Sequence, residues 1–461
     1  MRVRRKLGSS HYLRDVLLQA SGNSAAQVLG IAAMPLLTRL YAPNDFAALN
    51  LFTQLVAGLA ILLTLRFEYL VMLPAEQSES DSVLLLAISM GAVHVLWLTP
   101  LLWMLPGQWA WLRSQGAIAH WLWLAPISAY AVSLAVGLQQ AVQRRGDFRA
   151  SAMSEFVGRS AYVACAMVGA LALPNIGGLM ASTLANGGAK LVWLIRAGSE
   201  CARMWLQPNR APIAKSIRLM AVSTSVSNLV SLFSGLAPMI FIADRYGASA
   251  LGQYGLVVST LYLPSVLVGQ AIGQVYYQRA CRMQGDGVPF AGLVITTSLN
   301  LAKVGVPMYA LIALLAPLMY PVLFGAGWES AGELARWLCI AAAAGFLSTP
   351  LDRTSLIVGA WWYLSTWHSL RAVLTAACLI TSAVYALPLE TCILLLSLQS
   401  AFAYGIDWMA SWVFATRSRQ VNPPIVDALK GGKCDRHYRC VTPFLCTVLA
   451  IFAYHWRTSM W

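Results

Sequence analysis

Long apolar runs separated by short polar breaks recur along the whole chain. Each run is near or above the roughly 20 residues that cross a bilayer core as a helix. They fall near 13–37, 46–66, 82–105, 120–142, 154–173 and 177–195, then 219–243, 251–276, 292–323, 332–358, 364–387 and 391–414. The pattern predicts an all-α polytopic membrane protein with about 12 transmembrane helices. Residues 441–456 read either as a thirteenth span or as a segment lying against the membrane. The stretch 196–218 is the one long polar connection between runs and holds Pro208, Asn209 and Pro212. It divides six runs from six. The expected organisation is an N-terminal lobe over 1–196, a linker over 197–218 facing the cytoplasm, a C-terminal lobe over 219–416 and a basic tail over 417–461.

The two halves carry a faint repeat. Asn23, Gly30, Met34 and Tyr41 match Asn228, Gly235, Met239 and Tyr246 at one constant, ungapped offset. Both windows run from a polar-flecked apolar helix into Arg-Leu-Tyr-Ala-Pro or Arg-Tyr-Gly-Ala, then into a second apolar helix. Two parallel copies of a helical bundle in a membrane chain predict a secondary transporter with its substrate path between the halves.

Composition makes lipid the solvent. The chain is 58% hydrophobic and 11% charged, with a mean hydropathy of +0.63, whereas a soluble domain is about a quarter charged. The net charge of +14 fits basic cytoplasmic loops better than a nucleic-acid partner. With the N-terminus inside, the inner segments take Arg2, Arg4, Arg5 and Lys6, then Arg144, Arg145 and Arg149, then Arg279 and Arg282, and the basic tail. The outer loops keep Arg39, Arg113 and Arg245. The basic start Met1 to Lys6 leads into a polar-interrupted span without a small-residue cleavage site, so no signal peptide is expected. The Trp cluster at 97, 103, 109, 111, 121 and 123 reads as an interfacial belt. The nine cysteines are scattered and imply no disulfide framework. Cys434, His437 and Cys440 do not complete a zinc set, so no metal site is expected. No phosphate loop, nucleophile elbow or dinucleotide fingerprint is present, so neither an enzyme nor a bound cofactor is expected.

Polar groups inside the spans are the candidate site. Asp15, Gln19, Asn23 and Gln27 recur every four residues and share one face of the first helix. Ser223, Thr224, Ser227, Asn228 and Ser231 give the seventh a polar face. Such groups face a wet cavity or bond helix to helix. Intramembrane charge is costly and marks pathways. Arg66 with Glu68, Arg159 one turn after Glu155, Lys190, Lys303, Arg336 and Arg371 are the charges to explain. Arg66 and Arg159 have local acids available, and Arg371 could snorkel to the inner surface. Taken together, cations outnumber acids, which suits an anionic phosphate or pyrophosphate. Asp244 adjoins Arg245 and reads as a local pair. Asp407, in the last span, is either a buried hydrogen-bonded acid or a site for coupling to H+ or Na+.

Three groups of motifs resemble the Wzx-type polysaccharide and O-antigen flippases of the MATE-like MOP exporter superfamily. The first joins Thr38-Arg-Leu-Tyr-Ala-Pro-Asn-Asp-Phe46 to Leu65-Arg-Phe-Glu-Tyr-Leu-Val-Met-Leu-Pro74. The second is Leu251-Gly-Gln-Tyr-Gly255 with Leu263-Pro264 and Gly273-Gln-Val-Tyr-Tyr-Gln-Arg279. The third is Phe324-Gly-Ala-Gly-Trp-Glu-Ser-Ala-Gly332 with Thr349-Pro350. Ala47 stands where members often have Gly. The resemblance covers residues 10 to 415. It implies two six-helix lobes about a cavity open to one side at a time, in a bacterial inner membrane. It implies transport of an undecaprenyl-pyrophosphate-linked oligosaccharide, with ion coupling. A polymerase and a chain-length regulator are the partners implied by pathway resemblance.

The expected substrate-binding residues are Gln19, Asn23, Gln27, Arg66, Arg159, Lys190, Asn228 and Lys303, with Asp407 for the coupling ion. Two rival readings stand beside this one. A cation-coupled drug exporter of the same fold would want acids in its cavity. A polysaccharide polymerase or ligase would want a large external loop, and the external loops here are short.

Overall fold

A backbone in lipid has no water to satisfy its polar groups, so each span must bond within itself. The computed structural model follows that rule: it is helical, with no strand among the described residues. It describes residues 9–72, 74, 76–104, 116–172, 176–197, 213, 215–358 and 360–416. The first six long helices are α1 (Ser9–Leu40), α2 (Pro43–Thr64), α3 (Gln77–Met104), α4 (Leu124–Arg144), α5 (Phe148–Ala172) and α6 (Gly177–Ala197). After them comes α7 (Lys215–Tyr246). The next, α8, runs in two segments, Ala248–Leu261 and Leu263–Gly285. The last four are α9 (Ala291–Phe324), α10 (Glu329–Ser348), α11 (Trp361–Val384) and α12 (Leu389–Thr416).

Ten stretches of helix among the described residues are long and apolar enough to cross a membrane. α1 and α6 are outside that group. They are the helices interrupted by Asn23, Gln27, Asn186 and Lys190, so their polarity coincides with candidate site residues. The protein is a multi-pass membrane protein.

Two expected spans are broken where proline breaks them. The run 332–358 is helical only to Ser348. It then tightens into a 3-10 turn over Thr349–Leu351 and a short helix over Thr354–Ile357. The run 251–276 is jointed at Tyr262, two residues before Pro264. Proline has no N–H to donate and crowds the preceding turn. α7 starts at Lys215, inside the expected linker. Residues 198–212 of that linker lie outside the described residues, as does the tail from 417 with its segment 441–456.

In the first half, α5 packs on α1 and α6, and α4 packs on α2, α3 and α6. In the second half, α10 packs on α9, α8 and α12, and α11 on α7 and α12. Small residues set the close approaches: a Cβ on Gly169 of α5 would collide with the Gly178 backbone of α6. The halves meet chiefly through α2, which packs on α7 and α8.

The two ends of the bundle differ. One end carries the connections after α2, α4, α8 and α10, and with them Arg144, Arg145, Arg149, Arg279 and Arg282. This is the basic end. The opposite end carries the turns at Tyr41, Gly247 and Gly325. There a single apolar core joins both halves: Leu37, Tyr41 and Phe46 pack with Ile242, Leu251 and Trp328. At the basic end the apolar cores are separate. One holds Phe67, Leu70, Val83 and Leu138 with Ile217 and Ala221 from the start of α7. The other holds Tyr276, Phe290, Leu351 and Val358.

Candidate functional site

The opposite end is sealed by interlocking turns. Trp328, buried on the short 3-10 turn before α10, donates its Nε1 hydrogen to the Thr38 carbonyl of α1 at 3.1 Å. Its ring meets Phe46 of α2 edge-on, with centroids 5.2 Å apart. Gln253 of α8 fixes the same turn, donating to the Gly327 carbonyl at 2.7 Å and accepting from the Ala331 N–H at 2.9 Å. A Cβ on Gly252 would collide with the Pro43 backbone, so only glycine lets α8 approach α2 this closely. These residues belong to all three motif groups read from the sequence.

Towards the basic end, α2 stops in an unusual way. Leu65 and Arg66 both have positive φ, 46° and 60°, a conformation that costs a non-glycine residue about 1 kcal/mol or more. The turn brings Glu68 back beneath α2, where it is almost fully buried. Thr64 Oγ1 donates to Glu68 Oε2 at 2.5 Å, and Arg66 Nη1 lies 3.8 Å from Glu68 Oε1. Arg66 also crosses between the lobes: its Nη2 donates to Asn228 Oδ1 of α7 at 3.3 Å. Asn228 in turn donates to the Thr224 carbonyl at 2.8 Å. The Arg66 guanidinium lies over the Tyr69 ring at 4.8 Å, and its buried Nε has no hydrogen-bond partner.

A second polar group lies where α5, α6 and α1 meet. The spacing of Glu155 and Arg159 offers a local pair on α5, but the structure pairs Glu155 with Lys190 of α6. Lys190 Nζ donates to Glu155 Oε2 at 2.7 Å, and Gln139 Nε2 of α4 donates to Oε1 at 3.3 Å. A carboxylate that faces two neighbouring helices is better compensated across them than along its own helix. Arg159 is left with no carboxylate partner among the described residues. It lies across α1, where a Cβ on Gly30 would sit 3.2 Å from its Cδ and 3.3 Å from its Nε. Its guanidinium faces the Tyr162 ring at 5.6 Å.

The remaining sequence candidates spread out. Asn23 and Gln27 are half-buried on α1. Gln19 falls in the same helix, but its side chain lies outside the described residues. Lys303 is exposed on α9 beside exposed Val304 and Val306, apart from both groups. Asp407 is buried in α12 and accepts two hydroxyl hydrogen bonds, from Ser348 at 2.7 Å and from Tyr363 at 3.0 Å. Arg336 pairs with Glu333 on the exposed face of α10 at 3.4 Å. Among the described residues there is no group of three or more metal-ligating side chains.

Sequence reasoning missed one arrangement. Arg371, half-buried near the middle of α11, faces two rings rather than an aqueous surface. It lies 5.5 Å from the Trp367 ring and 5.6 Å from the Tyr404 ring. The spacing of Trp367 and Arg371, four residues on one helix, was the available signal. Tyr404 comes from another helix, and no local pattern announces it.

A family model described as polysaccharide biosynthesis protein matches residues 36–333. The succinoglycan biosynthesis transport protein ExoT of Rhizobium meliloti (strain 1021) is 24% identical over 404 residues, covering 83% of this chain and 76% of that protein. Among solved structures, an inward-facing multidrug resistance MATE family transporter of the MOP superfamily superposes with a TM-score of 0.64 at 13% identity, covering 88% of this chain and 96% of that one. A MOP superfamily transporter from Pyrococcus furiosus, described as having a binding pocket of reverse polarity, gives 0.63 at 12% identity, with 88% and 96% covered. A MATE transporter of Vibrio cholerae gives 0.59 at 14% identity, with 89% and 96% covered. At these identities the structures establish the fold: two MATE-like sets of six helices.

Proposed function

The chain belongs to the polysaccharide biosynthesis protein family, and from that premise we propose that it is a polysaccharide flippase of the MOP type, with the substrate and cycle that follow. It carries an undecaprenyl-pyrophosphate-linked oligosaccharide across the bacterial inner membrane by alternating access, with its N-terminus and basic end in the cytoplasm. The lobes are locked at the opposite end by Trp328, Thr38 and Phe46, whereas at the basic end the first-lobe core, which takes in only the start of α7, stays separate from the core about Tyr276 and Phe290. That arrangement suits loading from the basic side. Breaking the Trp328 lock and joining the basic-end cores would present the load to the other leaflet. The polyprenyl chain stays in lipid throughout, and no covalent bond is made or broken.

The observation that carries this reading is Arg159. A guanidinium inside the bundle, with no carboxylate partner among the described residues, is stable only if wet or met by an anion. The pyrophosphate head supplies that anion. Lys190, half-neutralised by Glu155, and Arg66, already bridging the lobes to Asn228, extend the cationic lining. Asn23 and Gln27 offer amide groups to the sugars. Asp407 is the proposed coupling group for H+ or Na+, since its two hydroxyl donors can stay in place while a cation comes and goes. A cationic drug would be repelled by this lining, which sets the exporter reading behind. A polymerase and a chain-length regulator are the partners this role would meet.

The test is the leaflet location of the lipid-linked oligosaccharide in a strain lacking this gene. Single repeat units should accumulate on the inner leaflet. The intact gene should rescue the strain and Arg159→Ala should not, while the variant protein reaches normal levels. Accumulation on the outer leaflet would instead mark a polymerase or ligase. Altered drug sensitivity without accumulation would mark an exporter.

A further inference from the structure

The surroundings of Arg371 have a chemistry of their own. Like Arg159, it makes no hydrogen bond and no ion pair among the described residues. Asp352 acts on it only from beyond ion-pair distance. The rings of Trp367 and Tyr404 hold the guanidinium by its charge without neutralising it. Its N–H donors therefore remain available.

Three tyrosines complete the setting. Tyr404 of α12 supplies one of the two rings against Arg371, and Tyr254 and Tyr262 of α8, packed against the neighbouring core, lie within electrostatic reach of the guanidinium. All three keep some accessible surface. None of their hydroxyls has a hydrogen-bond partner among the described residues, although a tyrosine hydroxyl held inside protein ordinarily finds one. The ring nitrogens Trp367 Nε1 and His368 Nδ1 are buried without partners as well. The result is an aromatic setting with unspent tyrosine hydroxyls and one cation that no carboxylate pairs with directly, Asp352 and Asp407 acting there only from farther off.

That combination narrows the ligand. A bare phosphate could bond the guanidinium but gains nothing from the aromatic rings and leaves the tyrosines unexplained. An organic cation is repelled by Arg371. A lipid tail leaves every polar group here unsatisfied, at a cost of about 1–3 kcal/mol each. A sugar ring presents flat C–H faces to the aromatics and hydroxyls to the tyrosines, and a carboxylate on it would answer the guanidinium.

We propose that Tyr254, Tyr262, Tyr404, Trp367 and Arg371 form a saccharide subsite in the second lobe, with Arg371 selecting a sugar that carries a carboxylate. The inference rests on the flippase reading and divides its labour. The first lobe takes the pyrophosphate and, at Asn23 and Gln27, neighbouring sugar hydroxyls; the second takes the acidic sugar.

The experiment is calorimetric titration of the purified full-length protein in lipid nanodiscs. The probes are a glucuronate-containing disaccharide, the neutral disaccharide cellobiose, and inorganic pyrophosphate. The glucuronate disaccharide should bind more tightly than cellobiose. Arg371→Gln should erase that preference, weakening the acidic disaccharide about tenfold, the worth of one charged contact, and leaving pyrophosphate unchanged. Tyr404→Phe, which keeps the ring and removes one hydroxyl, should weaken both disaccharides alike. Thermal unfolding of each variant identifies any that fails to fold, and Arg371→Lys then serves as the milder replacement. Equal binding of the acidic disaccharide by wild type and Arg371→Gln overturns the subsite, as does the absence of saturable disaccharide binding by folded wild type. Arg371-dependent disaccharide binding in a protein whose loss leaves the lipid-linked oligosaccharide correctly placed would overturn the flippase reading and keep the subsite.

Discussion

The two lead helices, α1 and α7, begin as copies and end as different tools. Each has 32 residues and an internal proline, Pro35 or Pro238. Tyr41 follows the last residue of α1 and Tyr246 is the last residue of α7, and the two have an equivalent task. Tyr41 donates its hydroxyl to the Ala166 carbonyl near the end of α5, at 2.7 Å. Tyr246 donates to the Leu387 carbonyl in the turn after α11, also at 2.7 Å. In both halves the lead helix is tied to the fifth helix or the turn after it. Further in, the halves diverge. Gly30 makes room for Arg159, whereas its counterpart Gly235 faces Gln54 of α2. The first lobe compensates charge with charge, as in Glu155 with Lys190. The second surrounds it with hydroxyls and rings, as around Asp407 and Arg371. The shared residues serve the scaffold, and the differing ones serve the contents of the cavity.

The largest expected effect breaks the junction between the lobes. Trp328→Ala removes a buried ring that packs on Phe46 and bonds to Thr38, a loss of about 3–5 kcal/mol. If the opposite end is where the lobes are held together, the variant should unfold at a clearly lower temperature. A labelling reagent should also reach a cysteine placed at Leu37 faster than in wild type. Unchanged labelling would mean the lock lies elsewhere.

The next effect tests the two styles of compensation. Glu155→Ala strands Lys190 between helices, and removing one partner of a buried pair costs about 3 kcal/mol, less where water reaches it. Ser348→Ala leaves Asp407 one hydroxyl poorer, a loss of about 1 kcal/mol. Thermal unfolding in one detergent should rank them in that order. The reverse ranking would show that the second lobe, not the first, depends on its polar interior for stability.

How much of this was legible depended on the range of each interaction. The spans were legible because lipid imposes a run of apolar residues long enough to cross it, and the breaks at Pro264 and Pro350 follow from chemistry within one or two residues. The excess of cations over acids was legible for the spans as a whole, and the structure places Arg66, Arg159 and Lys190 in two groups in the first lobe. The pairings were not. Glu155 and Arg159 sit one turn apart, and only the packing of α4 and α6 against α5 shows that Lys190 and Gln139 claim the carboxylate. Lys303 has the same charge as Lys190, yet its helix turns it towards exposed Val304 and Val306. The positive φ at Leu65 and Arg66 had no signal at all, since neither is glycine. For Arg371 the sequence leaves snorkelling and a pathway role both open, because one of its two rings, Tyr404, comes from another helix.

The smallest effects bear on the repeat itself. Tyr41→Phe and Tyr246→Phe each remove one hydroxyl and leave one carbonyl without that donor. Each should lower stability by about 1 kcal/mol. Because the two bonds lie in different lobes and share no partner, the double variant should lose close to the sum, as independent sites do. The informative result is the comparison of the singles by thermal unfolding. Equal losses would mean that the two halves still use the same tie for the same purpose. A loss confined to Tyr41→Phe would mean that only the first lobe keeps it. The aromatic interior of the second lobe would then hold its helices together by other contacts, and the repeat would survive there as sequence without its former work.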